Sequence, residues 1–217
     1  MESIVPQLEA TQRASAAVRR LSTDQKSALL VHLASLIRVH KEIILVENAK
    51  NLAQMDDTDP KKDRLRLTEE RIEGLAQSVA EVAQLPDPSG HVVLQRSISE
   101  GLDLQKITVP LGVVGVIYES RPNVTLDVAA LCLRSGNACV LKGGKEAHFS
   151  NRCLVSIIHT ALGAADIDTA AVCLLPTDRS AVQELLTATR YVDILIPRGS
   201  EGLIRYVREH ALVPTIE

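Results

Sequence analysis

The chain has 217 residues, 24 Lys and Arg against 27 Asp and Glu for a formal charge of −3, and 46% hydrophobic residues. That suffices for one core-bearing domain with an appendage and is an ordinary composition for a soluble protein. The absence of a long basic run argues against nucleic acid and anionic membrane as partners, and with no Trp and one Phe the core is aliphatic and base stacking is not expected.

The opening MESIVPQLEATQRAS has neither a basic n-region nor a long apolar stretch, so no signal peptide is read there. No window reaches the length of a membrane span. Cys132, Cys139, Cys153 and Cys173 form no CxxC pair and sit in apolar patterns. A cytoplasmic protein with buried thiols and no metal site is the expectation.

Residues 4–20 read as a helix with a stripe of Ile4, Leu8, Ala14, Ala17, Val18 and Leu21. Ser22-Thr23-Asp24-Gln25 is a capping box opening a second helix through Leu29, Leu30, Leu33, Leu36 and Ile37. A break near His40 precedes Ile43, Ile44 and Leu52. Asp56 to Asp63, with Pro60, reads as a loop. Thr68 to Gln84 is a third helix built on Ile72, Leu75, Val79 and Val82. Pro86 to Gly90 ends the helical section. His91–Ile98 and Leu102–Val109 are extended, joined by a turn at Ser99-Glu100-Gly101. A hairpin placed before a parallel sheet is expected to project, with edges free to meet another subunit.

Val113 to Tyr118 is apolar without alternation, the pattern of a strand covered on both faces. Asn123 to Arg134 follows as a helix with Val124, Val128, Leu131 and Cys132 on one face. Gly136-Asn137 stops it, and Ala138 to Leu141 is a second buried strand. Further strands are expected at 171–175, 192–196 and 212–216, alternating with helices at 151–162, 178–187 (capped by Asp178) and 199–210. The fold class is therefore α/β: a Rossmann-like parallel sheet with N-terminal helices and a projecting β-hairpin. A chain that stops inside an apolar strand reads as cut.

Two strand-to-helix junctions suit anions. At Lys142-Gly143-Gly144-Lys145, glycines allow close backbone approach and the next helix offers free N–H groups and a positive dipole. At Pro197-Arg198-Gly199-Ser200 an arginine and a hydroxyl are added. Both lie at carboxyl ends of strands, where open α/β sheets bind ligands. Glycines that only make tight turns, beside solvated cations, would look the same. Neither junction matches GxGxxG or a P-loop.

The stretch PLGVVGVIYESRPNVTLDVAALCLRSGNACVLKGGKEA, with YVDILIPRGS downstream and VPTIE at the end, resembles the γ-glutamyl phosphate reductases, also called glutamate-5-semialdehyde dehydrogenases, of the aldehyde dehydrogenase superfamily. The resemblance spans all 217 residues. It implies NADPH-dependent reduction of L-glutamyl 5-phosphate in proline biosynthesis, through a cysteine thioacyl intermediate, by an enzyme expected to be a homo-oligomer through residues 90–109. It implies that Asn123 stabilises the oxyanion, with a helix cap or turn residue as the alternative. It implies that Lys142 holds the adenosine ribose and that Lys145, where many NAD-using relatives carry glutamate, favours a 2′-phosphate. It places Arg198, Gly199 and Ser200 at the pyrophosphate. Glu119 and Arg121 would contact charged groups of the substrate or pair with each other. Residues 1–217 correspond to the cofactor-binding domain, and the C-terminal catalytic domain with its cysteine is expected to be absent from this chain. Glu217 falls where hydrolysing relatives place a general base. A non-catalytic nucleotide-binding module, or a piece assembling with a separate catalytic half, are the readings from other classes.

Overall fold

Ser22 Oγ accepts the Gln25 N–H at 3.2 Å while the Gln25 side chain accepts the Ser22 N–H at 2.8 Å. This reciprocal cap opens helix α2 (Thr23–Val39) as the sequence requires. The computed structural model describes residues 3–217. The other N-terminal helices are α1 (Val5–Arg19), which packs on β-strands of the sheet, α3 (Lys41–Leu52), the one-turn α4 (Lys61–Leu65) beside α3, and α5 (Glu69–Val82), which packs on α2. His40 separates α2 from α3, the expected break. The expected loop at 56–63 gives way to α4 just after Pro60, whose fixed φ suits the start of a helix. On α1, Ala17 is exposed and Thr11 is buried instead, its hydroxyl donated back to Gln7 O at 3.0 Å.

The buried face of α3 is Ile44, Asn48 and Asn51, whereas Ile43 is exposed. The two amides are hidden because they join segments. Asn48 Nδ2 donates to Leu65 O at 2.8 Å and to Ser150 Oγ at 3.0 Å, and Asn48 Oδ1 accepts the Leu67 N–H at 2.8 Å. Asn51 Oδ1 accepts from the Ser150 N–H and hydroxyl at 2.8 and 2.9 Å. These partners offset the desolvation of Asn48, whereas the buried Asn51 Nδ2 is left without a partner among the described residues.

Strands β1 (Val92–Ser99) and β2 (Leu102–Ile107) pair antiparallel and every residue in both is exposed, so the hairpin projects. Gly101 turns it at φ 80°. The sheet itself is β3 (Val113–Tyr118), β4 (Ala138–Lys142), β5 (Val172–Leu174) and β6 (Ile194–Arg198), all parallel in the order β5-β4-β3-β6. Every residue of β3 and β4 is buried. Between the strands run α6 (Asn123–Arg134), α7 (His148–Ala164, after a 3₁₀ turn over Lys145–Ala147) and α8 (Arg179–Leu186); α9 (Glu201–His210) follows β6. Helices α6 and α7 pack on the sheet, and α2, α3 and α5 pack on α6 and α7.

Two readings of the pattern need correction. Leu131 of α6 is 51% exposed; the buried face is Leu126, Ala129, Ala130 and Leu133 with Val124 and Cys132. Residues 212–216 form no strand, only a single parallel bridge between Thr215 and Leu195. Pro214 has no N–H to donate, and the Leu212 and Val213 N–H groups turn to Leu186 O at 2.8 and 3.2 Å.

The chain moves outward from β3 through β4 to β5, then crosses back to lay β6 on the other side of β3. The crossing direction therefore reverses between β3 and β6. In open α/β sheets the ligand crevice lies outside the carboxyl ends of the strands at that reversal. Here those ends are Tyr118 and Arg198, which are register partners.

Candidate functional site

A cleft of about 320 Å³ opens at the ends of β3 and β6. The β3 turn contributes Glu119, Ser120 and Arg121, and the β6 turn contributes Arg198, Gly199 and Ser200. Lys61 and Arg64, from α4, complete the wall. The sequence reading missed these two. Their signal, a KKDR run in a polar stretch, is indistinguishable from a solvated surface until the fold carries α4 to the crevice.

The Glu119 carboxylate does not pair with Arg121. It accepts the Ser200 N–H at 2.9 Å and the Ser200 hydroxyl at 3.1 Å. Ser200 is the N-cap of α9, its Oγ accepting the Leu203 N–H at 3.4 Å. A carboxylate at the positive end of a helix is favourable. Gly199 leaves room for this contact, because a Cβ there would lie 2.8 Å from Glu119 Oε2 and push the carboxylate aside.

Asn123 is the first residue inside α6, and Pro122 is its N-cap. The Asn123 side chain caps nothing; its Nδ2 donates to Asp127 Oδ2 at 3.1 Å, one turn on. The helix-cap alternative is therefore corrected. Burial raises the Asp127 carboxyl above its usual range, opposed by the Asn123 amide and by Arg198. Asn123 borders a second cleft of about 400 Å³ with Arg64, Arg66, Arg71 and Arg121, so Arg64 and Arg121 border both clefts. The first turn of α6 is anchored by a buried relay. The Tyr118 and Thr125 hydroxyls lie 2.7 Å apart, and Thr125 Oγ1 donates to Asn151 Oδ1 at 3.0 Å.

The Lys142–Lys145 turn lies beside this wall. A Cβ on Gly144 would be 2.6 Å from Glu146 Oε2 and 3.5 Å from the Ser120 nitrogen, so β4's turn abuts β3's. Gly143 leaves room for Asn151, whose Nδ2 would lie 2.3 Å from an added Cβ. Lys142 is buried, and its Nζ donates to Gly143 O and Thr177 O, both at 3.2 Å. Burial lowers its pKa, opposed by Asp178 and Glu146. Lys145 is exposed. An uncommitted ammonium beside a helix start fits the anionic part of a nucleotide at this turn. At Ser200, by contrast, the donors already hold Glu119.

Cys139, Cys153 and Cys173 are poor nucleophiles. Burial pushes Cys153 and Cys173 up to about 11, and the Cys132 hydrogen bond together with burial raises Cys139 well above the usual thiol range. Attack needs the thiolate. Glu217 pairs with Arg208, whose hydrogen bond holds the carboxyl below its usual range.

A doubly wound parallel sheet with a polar crevice at its reversal point defines a dinucleotide-type α/β domain, and residues 2–215 match the aldehyde dehydrogenase family. The chain belongs to that family. It is 49% identical over 214 residues to the γ-glutamyl phosphate reductase of Legionella pneumophila (strain Lens), covering 99% of this chain and 51% of that protein. It is 51% identical over 208 residues to the γ-glutamyl phosphate reductase of Parabacteroides distasonis, covering 94% and 50%. The crystal structure of γ-glutamyl phosphate reductase from Thermotoga maritima superposes with a TM-score of 0.95 at 33% identity, over all of this chain and 53% of that one. A probable aldehyde dehydrogenase from Listeria monocytogenes shares the fold at a TM-score of 0.77 and 13% identity. The chain spans about half the length of the curated relatives it matches.

Proposed function

We propose that this chain provides the cofactor-binding part of an NADPH-dependent reductase of L-glutamyl 5-phosphate, releasing phosphate and glutamate 5-semialdehyde, in proline biosynthesis. The observation that carries the reading is the cleft at the ends of β3 and β6, lined by Lys61, Arg64, Arg121 and Arg198. Such a cleft suits an acyl phosphate and a phosphate-bearing cofactor, and the similarity to γ-glutamyl phosphate reductases supports the same choice.

In this reading Lys142 and Lys145 hold the adenosine ribose and its 2′-phosphate, and Gly143 and Gly144 let the β4 turn approach. Arg198, Gly199 and Ser200 face the diphosphate. Glu119 and Arg121 meet charged groups of the substrate. Asn123 donates its amide to the carbonyl oxygen as negative charge grows there. The bound nicotinamide supplies the hydride. The thiolate that displaces phosphate comes from outside these 217 residues, a reading supported by the raised thiols of Cys139, Cys153 and Cys173. The work is done in the cytoplasm. The hairpin of β1 and β2 meets a second copy: Leu94 and Leu104, 47% and 40% exposed, share one face of it. No described helix is long and apolar enough to cross a membrane.

The test is NADPH oxidation dependent on glutamyl phosphate, measured for this chain alone and for a chain extended to the relatives' full length. Activity is expected from the extended chain alone. Turnover by the 217-residue chain that stops on thiol alkylation would overturn the assignment of the nucleophile.

A further inference from the structure

The cleft at β3 and β6 is electrostatically lopsided. At one end the α9 N-terminus and the Ser200 hydroxyl are satisfied by Glu119, and a second anion there would meet a carboxylate. At the other end stand Lys61, Arg64 and Arg121, whose side chains make no hydrogen bond or ion pair among the described residues. Unneutralised positive charge is thus concentrated on a side where the sequence singled out Arg121 but neither Lys61 nor Arg64.

Arg64 and Arg121 also border the cleft that contains Asn123. They therefore stand between the turn expected to meet the cofactor and the amide expected to meet the reacting carbonyl. Two guanidinium forks and an ammonium match the oxygens of a phosphoryl group in number and charge.

Arg64 is exposed, yet its backbone is held firmly. Leu65 is fully buried, and its carbonyl accepts from buried Asn48 at 2.8 Å. Asn48 also takes the Leu67 N–H at 2.8 Å. Arg71 clamps the same segment from outside, its Nη1 donating to Asp63 O and Arg66 O at 2.7 and 2.8 Å. A short helix with an unpaired arginine would gain nothing for folding from being aimed this way. A preorganised cation lowers the ordering cost of binding an anion.

We propose that Arg64, with Arg121 and assisted by Lys61, is the seat for the phosphoryl group of the substrate, distinct from the seat of the cofactor's diphosphate. The identification of the phosphoryl donor rests on the function proposed above; the existence of the seat does not. Arg64 acts by binding and orienting, and not by proton transfer.

The test is titration of the 217-residue chain with inorganic phosphate, with L-glutamate and with NADPH, followed by calorimetry or amide chemical shifts. Arg64→Gln and Arg121→Gln should each weaken phosphate binding about ten-fold, the loss of one charge-assisted hydrogen bond. Arg64→Lys should recover part of it, and Arg64→Gln should leave NADPH affinity within about two-fold. Unchanged melting of Arg64→Gln is expected from its exposure and lack of partners. Absent phosphate binding, phosphate binding indifferent to Arg64, or equal losses for phosphate and NADPH would each overturn the proposal. Arg64-dependent binding of glutamate but not phosphate would overturn the phosphoryl assignment. Arg64-dependent phosphate binding by a chain whose extended form fails to reduce glutamyl phosphate would retain the seat and remove the function.

Discussion

Glu119 and Ser200, 81 positions apart, are joined by two hydrogen bonds that lay a carboxylate on the N-terminus of α9. The resemblance assigns the Ser200 turn to the cofactor's diphosphate, and the same donors cannot serve both anions. Glu119→Gln keeps the shape and removes the charge. The carboxylate's interaction with the helix end is worth about 0.3–1 kcal/mol, so the variant should melt slightly lower. Removing the competing charge should tighten NADPH binding roughly two- to five-fold by the same arithmetic. Fluorescence titration and thermal unfolding of one variant check both. Weaker NADPH binding would make Glu119 a cofactor ligand in its own right.

Asn123 is not a helix cap, since Pro122 takes that position, but its bond to Asp127 leaves it a local role in the first turn of α6. In an active enzyme carrying this chain, Asn123→Ala should lower kcat by about 10²–10³, the usual loss for one oxyanion donor, with NADPH affinity unchanged. The broken bond to Asp127 should cost about 1 kcal/mol of stability. Steady-state rates set beside melting temperatures separate the two effects; near-normal kcat with a lowered melting point would assign Asn123 to α6 alone.

The two lysines of the β4 turn should behave differently. Lys145 is exposed, whereas Lys142 is buried and tied to two carbonyls. Lys145→Glu should weaken NADPH binding more than NADH binding, lowering selectivity about ten-fold, the size of one charge-assisted hydrogen bond. Lys142→Ala should weaken both cofactors alike and lower the melting point. Equal losses from Lys145→Glu would return that residue to the solvated surface.

Acid should loosen the join between α2 and the segment that links α5 to β1. Lys26 Nζ, 2% exposed, meets Asp87 Oδ2 at 2.8 Å. Burial raises the Asp87 carboxyl, but Lys26, the Ser89 N–H and the Thr23 hydroxyl together bring it below its usual value. A carboxyl depressed on folding contributes stability that is complete above its unfolded value, about 3.9. That stability is lost as pH falls through the lower folded value. The pair should therefore be silent from pH 5 to 8, by these values roughly, and fail in stronger acid. Asp87→Asn leaves a buried ammonium unpaired and should cost on the order of 3 kcal/mol near neutrality. Urea unfolding of both proteins across pH checks this: their stabilities should converge in acid.

Much of this architecture follows from local chemistry alone. The unbroken apolar runs of β3 and β4, the capping box at Ser22 and the stop at Gly136 belong to neighbours in the chain. Periodicity and turn chemistry therefore located them, and the exposed hairpin followed from its place before the sheet. The candidate site was legible only in pieces: the ESRPN, KGGK and PRGS turns were visible, but not which of them share a wall.

Tertiary structure decided what depends on distant partners. Asn48 and Asn51 are polar residues of α3, yet they are buried because Leu65, Leu67 and Ser150 supply hydrogen bonds to them. Residues 212–216 read as a strand, but Leu186 takes the Leu212 and Val213 N–H groups and Pro214 offers none. Glu119 had Arg121 two positions away and chose Ser200, because the reversal of strand order sets the ends of β3 and β6 side by side. Lys61 and Arg64 became part of the cleft because Asn48 and Arg71 hold the backbone of α4 and its flank in place. A side chain's own chemistry states what it can bind; which partner it meets is set by the path of the backbone, and that path is a property of the whole chain.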